Sequence, residues 1–128
     1  MKMDFNYLNP KNYFEEIFGK DMEYASKILE LFLELIPVHK QKLIILFEQI
    51  AFDKFYKLST QLLTVFRMIG KPEFSDLLYL FACDFKTKPN VQDLQTRFDE
   101  IINQLDLIIE YAHLEHANIQ IEILSPKS

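Results

Sequence analysis

Glycine occurs only twice in these 128 residues, cysteine once and tryptophan not at all. Sandwiches and barrels place Gly and Pro at turns every 8 to 12 residues or so, so a chain this poor in glycine is a poor candidate for either. The single cysteine, Cys83, rules out an internal disulfide framework and points to a reducing compartment. Long apolar runs are missing too: Leu43 to Phe47 is five residues and Leu77 to Cys83 seven, against roughly 18 to 20 for a membrane span. The opening MKMDFNYLN lacks the apolar core of a signal peptide. The expectation is a soluble cytoplasmic protein with no membrane partner.

An excess of basic charge is also lacking. The net charge is −5 and the pI about 5.2, whereas nucleic-acid-binding domains present a basic patch on a basic background. Nucleic acid is therefore not an expected partner. No Gly-rich phosphate loop, GxSxG, HExxH or CxxC occurs. Neighbouring carboxylates such as Glu15–Glu16 and Asp99–Glu100 cannot face one another and read as solvated faces. No catalytic, metal or cofactor set assembles, and an enzyme is not expected.

What is present is bulk. The chain is 49% hydrophobic, with twelve Phe and six Tyr, enough for one independently folding domain with a large aromatic core. The fold class read from this is all-α, and a single domain spans 1–128, its core about 12–116 and its tail 117–128. Asn9 and Pro10 mark a loop into a short helix over Asn12 to Phe18, closed by Gly19. Asp21 is placed to cap a helix reaching Ile36, with Met22, Ala25, Ile28, Leu29, Phe32, Leu35 and Ile36 recurring at three and four. Pro37 is expected to end or sharply kink it. Val38 to Ala51 follows as a further helix, with Leu43, Leu46, Phe47 and Ile50 inward.

The stretch FYKLSTQLLTVFRMIGK, Phe55 to Lys71, is central. Wound at about 100° per residue, it places Phe55, Leu58, Leu62, Val65, Phe66 and Ile69 on one stripe. Lys57, Thr60, Thr64, Arg67 and Lys71 fall opposite, with Tyr56 and Leu63 on the flank. Asp53 is expected to cap this helix and Gly70 to close it. Pro72 then occupies the first turn of a helix to about Phe85, with Phe74, Leu77, Leu78, Phe81 and Phe85 inward. Asn90 is expected to cap the last helix, with Asp93 three residues on. Val91, Leu94, Phe98, Ile101, Ile102, Leu105, Ile108, Ile109 and Ala112 give it the cleanest period in the chain. Ile119, Ile121 and Ile123 alternate like a strand, while Ala117, Ile121 and Leu124 extend the helical stripe. A frayed helix end or an irregular, locally packed tail is expected there. Helices of this length on short turns predict an up-down antiparallel four-helix bundle with a short extra N-terminal helix.

Each histidine has a plain reading. His39 is expected as a solvated residue at a helix start. His113 and His116 share a face with Glu110; zinc takes three or four such ligands with a supporting second shell, and two histidines near a fraying helix end read as surface residues. Cys83, beside Leu80 and Phe81, reads as a structural cysteine.

The pattern from Asn6 to Ala112 resembles a histidine-containing phosphotransfer (HPt) domain. The resemblance rests on the short leading helix, Ile28 to Leu33 followed by Pro37, Asp53 before the central helix, and the helix–glycine–helix step at Gly70. In that family an exposed histidine on a central helix exchanges a phosphoryl group with a receiver-domain aspartate, within a motif of the form A-H-x-L-K-G followed by a later glycine. Anchored on Gly70, the motif falls on Ser59-Thr60-Gln61-Leu62-Leu63-Thr64. Leu62 and Gly70 match. Thr60 stands where the phosphoacceptor histidine would be, Leu63 where the lysine would be, and Thr64 where the glycine would be. A threonine hydroxyl without a base is a weak nucleophile, and its phosphoester is too stable to relay.

The resemblance thus implies an HPt-like protein of two-component phosphorelay type that binds a response-regulator receiver domain or a histidine kinase without carrying phosphate. Its partner-binding face would comprise Lys57, Thr60, Leu63, Thr64, Arg67 and Lys71. The alternative is a bundle that scaffolds an unrelated partner or forms a homodimer.

Overall fold

The computed structural model describes residues 21–87 and 91–124. The expected helix over Asn12 to Phe18, its Gly19 cap and the Asn90 cap lie outside them. The described residues form an all-helical bundle of four helices: α1 (Met22–Glu48), α2 (Phe52–Met68), α3 (Pro72–Thr87) and α4 (Val91–Leu124). α1 packs on α2 and α4, and α3 packs on the same two helices. No described helix is long and apolar enough to cross a membrane.

α1 begins as the sequence predicts, with Asp21 Oδ1 accepting the Tyr24 N–H at 3.0 Å. It then runs through Pro37 rather than ending there, joining two helices expected to be separate. Pro37 faces solvent, so the carbonyl it deprives of a donor has water within reach. A proline inside a helix costs about 3 kcal/mol. Phe32, Ile36, Leu43 and Phe47 form one buried stripe across it, each worth roughly 1.5–3 kcal/mol on burial. Packing on both sides outweighs the local penalty. Leu35, expected inward, is exposed, because the continuous helix turns it toward the outer side.

Both short turns have the same hydrogen-bond plan. After α1, Ala51 N–H donates to Leu46 O at 2.9 Å and Ile50 N–H to Phe47 O at 3.1 Å. After α2, Lys71 N–H donates to Phe66 O at 2.8 Å and Gly70 N–H to Arg67 O at 3.1 Å. This pairing closes a helix over one residue in the left-handed region. Gly70 fills that position with φ 81°, and Ile50 fills it in the first turn with φ 53°. Ile50 was expected inward but is exposed, since the reversal takes it out of the helical register. Asp53 does not cap α2: Ala51 precedes the helix without a side-chain cap, and Asp53 sits in the first turn.

α4 corrects the expectation for the tail. It continues as helix to Leu124, and Ile119 is fully buried. Leu94, Phe98, Ile101, Leu105, Ile108, Ala112 and Ile119 are all buried at spacings of three, four and seven, so the core extends past residue 116. The Ile119–Ile123 alternation resolves as helix because Ile119 prolongs this stripe.

The centre of the bundle is aromatic. Phe47 on α1 stacks on Phe98 of α4 with centroids 4.1 Å apart and planes 10° from parallel. Phe55 of α2 meets Phe81, Phe85 and Phe98 edge-on at 5.7, 5.2 and 6.0 Å. Rings from opposite corners therefore touch where the backbones do not. α2 and α3 make the most extensive helix pair, with small buried residues Ser59, Ser75 and Ala82 on them. Ser75 Oγ also donates to the Leu63 carbonyl at 3.1 Å.

Candidate docking face on α2 and α3

The outer side of α2 carries most of the residues its period predicts there. Lys57, Thr64 and Arg67 are exposed, while Thr60 and Leu63 are half-buried. Lys71 is not among them. It is buried, 1% exposed, with Nζ 5.5 Å from the centroid of the Tyr111 ring on α4. The helical wheel that put it on the outer pole stops applying at Met68, where α2 ends. The turn at Gly70 sends residue 71 inward. Its ammonium pKa falls to about 8, because burial penalises the charge and Glu73 offsets only part of that. Lys71 therefore leaves the exposed face.

The hydroxyl of Thr60 donates to the Lys57 carbonyl one turn back at 2.8 Å. This local bond uses the hydroxyl proton within its own helix. The three histidines lie on α1 and α4, so neither α2 nor α3 brings an imidazole to this surface.

α3 completes the face with residues that the spacing of α2 alone did not indicate. Tyr79 lies beside Tyr56 with ring centroids 6.3 Å apart, and its hydroxyl pKa is pushed up to about 12 by hydrogen bonds to Cys83 and then Tyr56. Lys86 Nζ sits 4.5 Å over the Tyr56 ring and 3.8 Å from Asp53. Arg67 meets Asp76 at 3.5 Å. These ion pairs are solvent-exposed and worth about 0–1 kcal/mol each, so a partner can recruit either member at little cost. Leu80 stands out from the same helix, 59% exposed. The outward positions of α3 follow from its inward set. Which of them would flank α2 depends on the Gly70 turn, and no period in the sequence records that.

The remaining candidates fall elsewhere. His39 is inside α1, not at a helix start, and is only half-exposed. Its Nδ1 is enclosed without a hydrogen-bond partner. Burial and then Lys42 lower its pKa. His116 Nε2 lies 3.3 Å from Glu30 Oε1 on α1, so its carboxylate neighbour comes from another helix. His113 is exposed. Among the described residues no three His, Cys, Asp or Glu side chains group as a metal site would require. Cys83 is half-buried. A 330 Å³ cleft between α1 and α4, lined by Ile44, Phe47, Glu48, Gln95, Phe98, Asp99, Ile102 and Asn103, lies apart from the α2–α3 face. Comparisons with protein-family models, with curated proteins and with solved structures find no match.

Proposed function

We propose that this protein is a phosphorelay-type docking module: an HPt-like bundle that binds a receiver domain or a histidine kinase and passes no phosphate. The observation that carries the reading is the α2–α3 face itself. Leu63 sits half-buried beside Thr64 and Arg67, on a helix that also exposes Lys57 and next to an α3 that bears Tyr79 and Leu80, while Thr60, which the resemblance aligns with the phosphoacceptor, has its hydroxyl bonded to the Lys57 carbonyl. An apolar centre with basic and aromatic edges suits an acidic pocket beside an apolar patch, which is how a receiver domain presents its phosphorylation site.

The reading also takes the bundle as up-down and antiparallel, with a short helix ahead of α1. Three cross-links between α1 and α4 support that sense: Lys40 with Asp106, Glu30 with His116, and Ser26 with Gln120. Partner numbers fall on α4 as they rise on α1. Two tight turns join α1 to α2 and α2 to α3. The module acts by binding, needs no cofactor, and works in the cytoplasm where such relays operate.

The test is a binding titration against receiver domains and histidine kinases, repeated with Leu63→Asp and Arg67→Glu. The reading requires a complex that both substitutions weaken by about tenfold or more. A complex indifferent to both would place the contact elsewhere.

A further inference from the structure

A second surface has its own pattern, on the outer side of α1. Tyr24, Leu31, Val38 and Ile45 recur at intervals of seven and are 48%, 53%, 55% and 48% exposed; Leu35, between them, is 49% exposed. With the half-buried Ile28 they form one seam of positions 24, 28, 31, 35, 38, 42, 45 and 49, six of the eight apolar and the others Lys42 and Gln49. Alternating steps of three and four over about 30 Å are the spacing of a coiled-coil contact line. The inner stripe of the same helix, Ala25, Leu29, Phe32, Ile36, Leu43 and Phe47, is already buried in the bundle, so this seam is additional to what the packing of the four described helices uses. The five exposed apolar side chains leave an uncovered area on the order of 450 Å², as large as the biggest apolar patch of an ordinary monomer.

We infer that this seam joins two copies of the chain, α1 against α1 in antiparallel sense. The charges flanking the seam select the occupant and the direction. One edge carries Lys27, Glu34, Gln41 and Glu48, all exposed. When two such edges run antiparallel about a two-fold axis near residues 36 and 37, Lys27 of each copy comes opposite Glu48 of the other. Glu34 comes opposite Gln41. In the seam Val38 meets Leu35 of the second copy, and Ile45 meets Ile28. A parallel pairing about a two-fold axis puts the two copies of this edge on opposite sides of the contact, where Lys27 and Glu48 have no partner in each other. A two-fold contact must be self-complementary in this way. Including the charged edge, each copy contributes roughly 800 Å², the share of one partner in a standard-size interface. The seam uses none of the α2–α3 docking residues, so its test stands apart from receiver binding.

The experiment is sedimentation equilibrium on the full chain and its variants, with helical content checked by circular dichroism. The wild type is expected to be a dimer. Leu31→Glu combined with Val38→Glu, both at exposed positions, is expected to give a folded monomer, whereas Leu114→Glu on α4 leaves the dimer intact. Lys27→Glu and Glu48→Lys should each weaken association about tenfold or more, and combining them should restore it. In a Cys83→Ser background, Val38→Cys should cross-link two copies on oxidation and Tyr24→Cys should not, since antiparallel packing puts the two copies of position 24 at opposite ends. The inference is overturned by a monomeric wild type, including one whose α1 seam is covered by residues 1–20. A dimer that survives the double Glu variant or that cross-links through Tyr24→Cys overturns it equally.

Discussion

Lys71 Nζ lies 5.5 Å from the centroid of Tyr111, beneath the turn that ties α2 to α3. A residue three positions beyond the end of α2 thus reaches a ring on α4, and it is a lysine buried to 1% exposure. Its folded pKa of about 8 lies under the ordinary 10.5. Between those values the unfolded chain holds the proton and the folded one releases it, so stability rises with pH across about 8 to 10.5. Below pH 8 the full cost of the buried charge is present. Above pH 10 the raised pKa of Tyr79 acts in the opposite sense, because unfolded tyrosine ionises first. Thermal melts should therefore show Tm climbing from pH 7.5 to 10. Lys71→Met should raise Tm at pH 7 by roughly 3 °C or more and lose most of that advantage by pH 10. A variant with a constant offset at every pH would show that the charge is not the cause.

Ile50 and Gly70 occupy equivalent positions after successive helices, at φ 53° and 81°. A β-branched residue in the left-handed region is strained by about 1–2 kcal/mol. Ile50→Gly should stabilise the fold by about 1 kcal/mol despite removing a partly exposed side chain. Gly70→Ala should destabilise it by a similar amount. Chemical denaturation of the two variants measures both, and equal signs would contradict the assignment.

Phe98 is the ring on which the four helices converge, stacked on Phe47 and within 6.0 Å of Phe55 and 5.7 Å of Phe81. Phe98→Ala should cost about 3–5 kcal/mol, a large fraction of the roughly 5–15 kcal/mol that holds a domain folded. Phe98→Leu should cost less than half as much, the remaining loss reflecting the stacked contact with Phe47. Denaturant midpoints of the pair separate cavity from stacking.

The sequence resolved the parts of this fold that depend on period. The stripe from Leu94 to Ala112, the inward rings of α3 and the Asp21 cap stand where spacing places them. What it left unresolved depends on how distant segments pack. Pro37 is a helix breaker taken alone, and only the continuity of Phe32, Ile36, Leu43 and Phe47 against the bundle carries the helix past it. Ile119 reads equally as strand or helix until the stripe of α4 extends under it. On the docking face, Lys57, Thr64 and Arg67 are exposed as their angle on α2 predicts. Lys71 is not, because its angle was counted through a turn that reverses the chain. Tyr79 and Lys86 join the face through the α2–α3 packing, which no local pattern encodes.

The central claim is that the α2 surface binds without chemistry, and phosphate transfer tests it most directly. A receiver domain loaded with labelled phosphate, or an autophosphorylated histidine kinase, is incubated with the protein, and complex formation and label are followed together. The account predicts a complex that Leu63→Asp weakens by about tenfold or more, with no acid-labile phosphate on the bundle. Acid-labile label on this chain, or a complex untouched by Leu63→Asp, would contradict it.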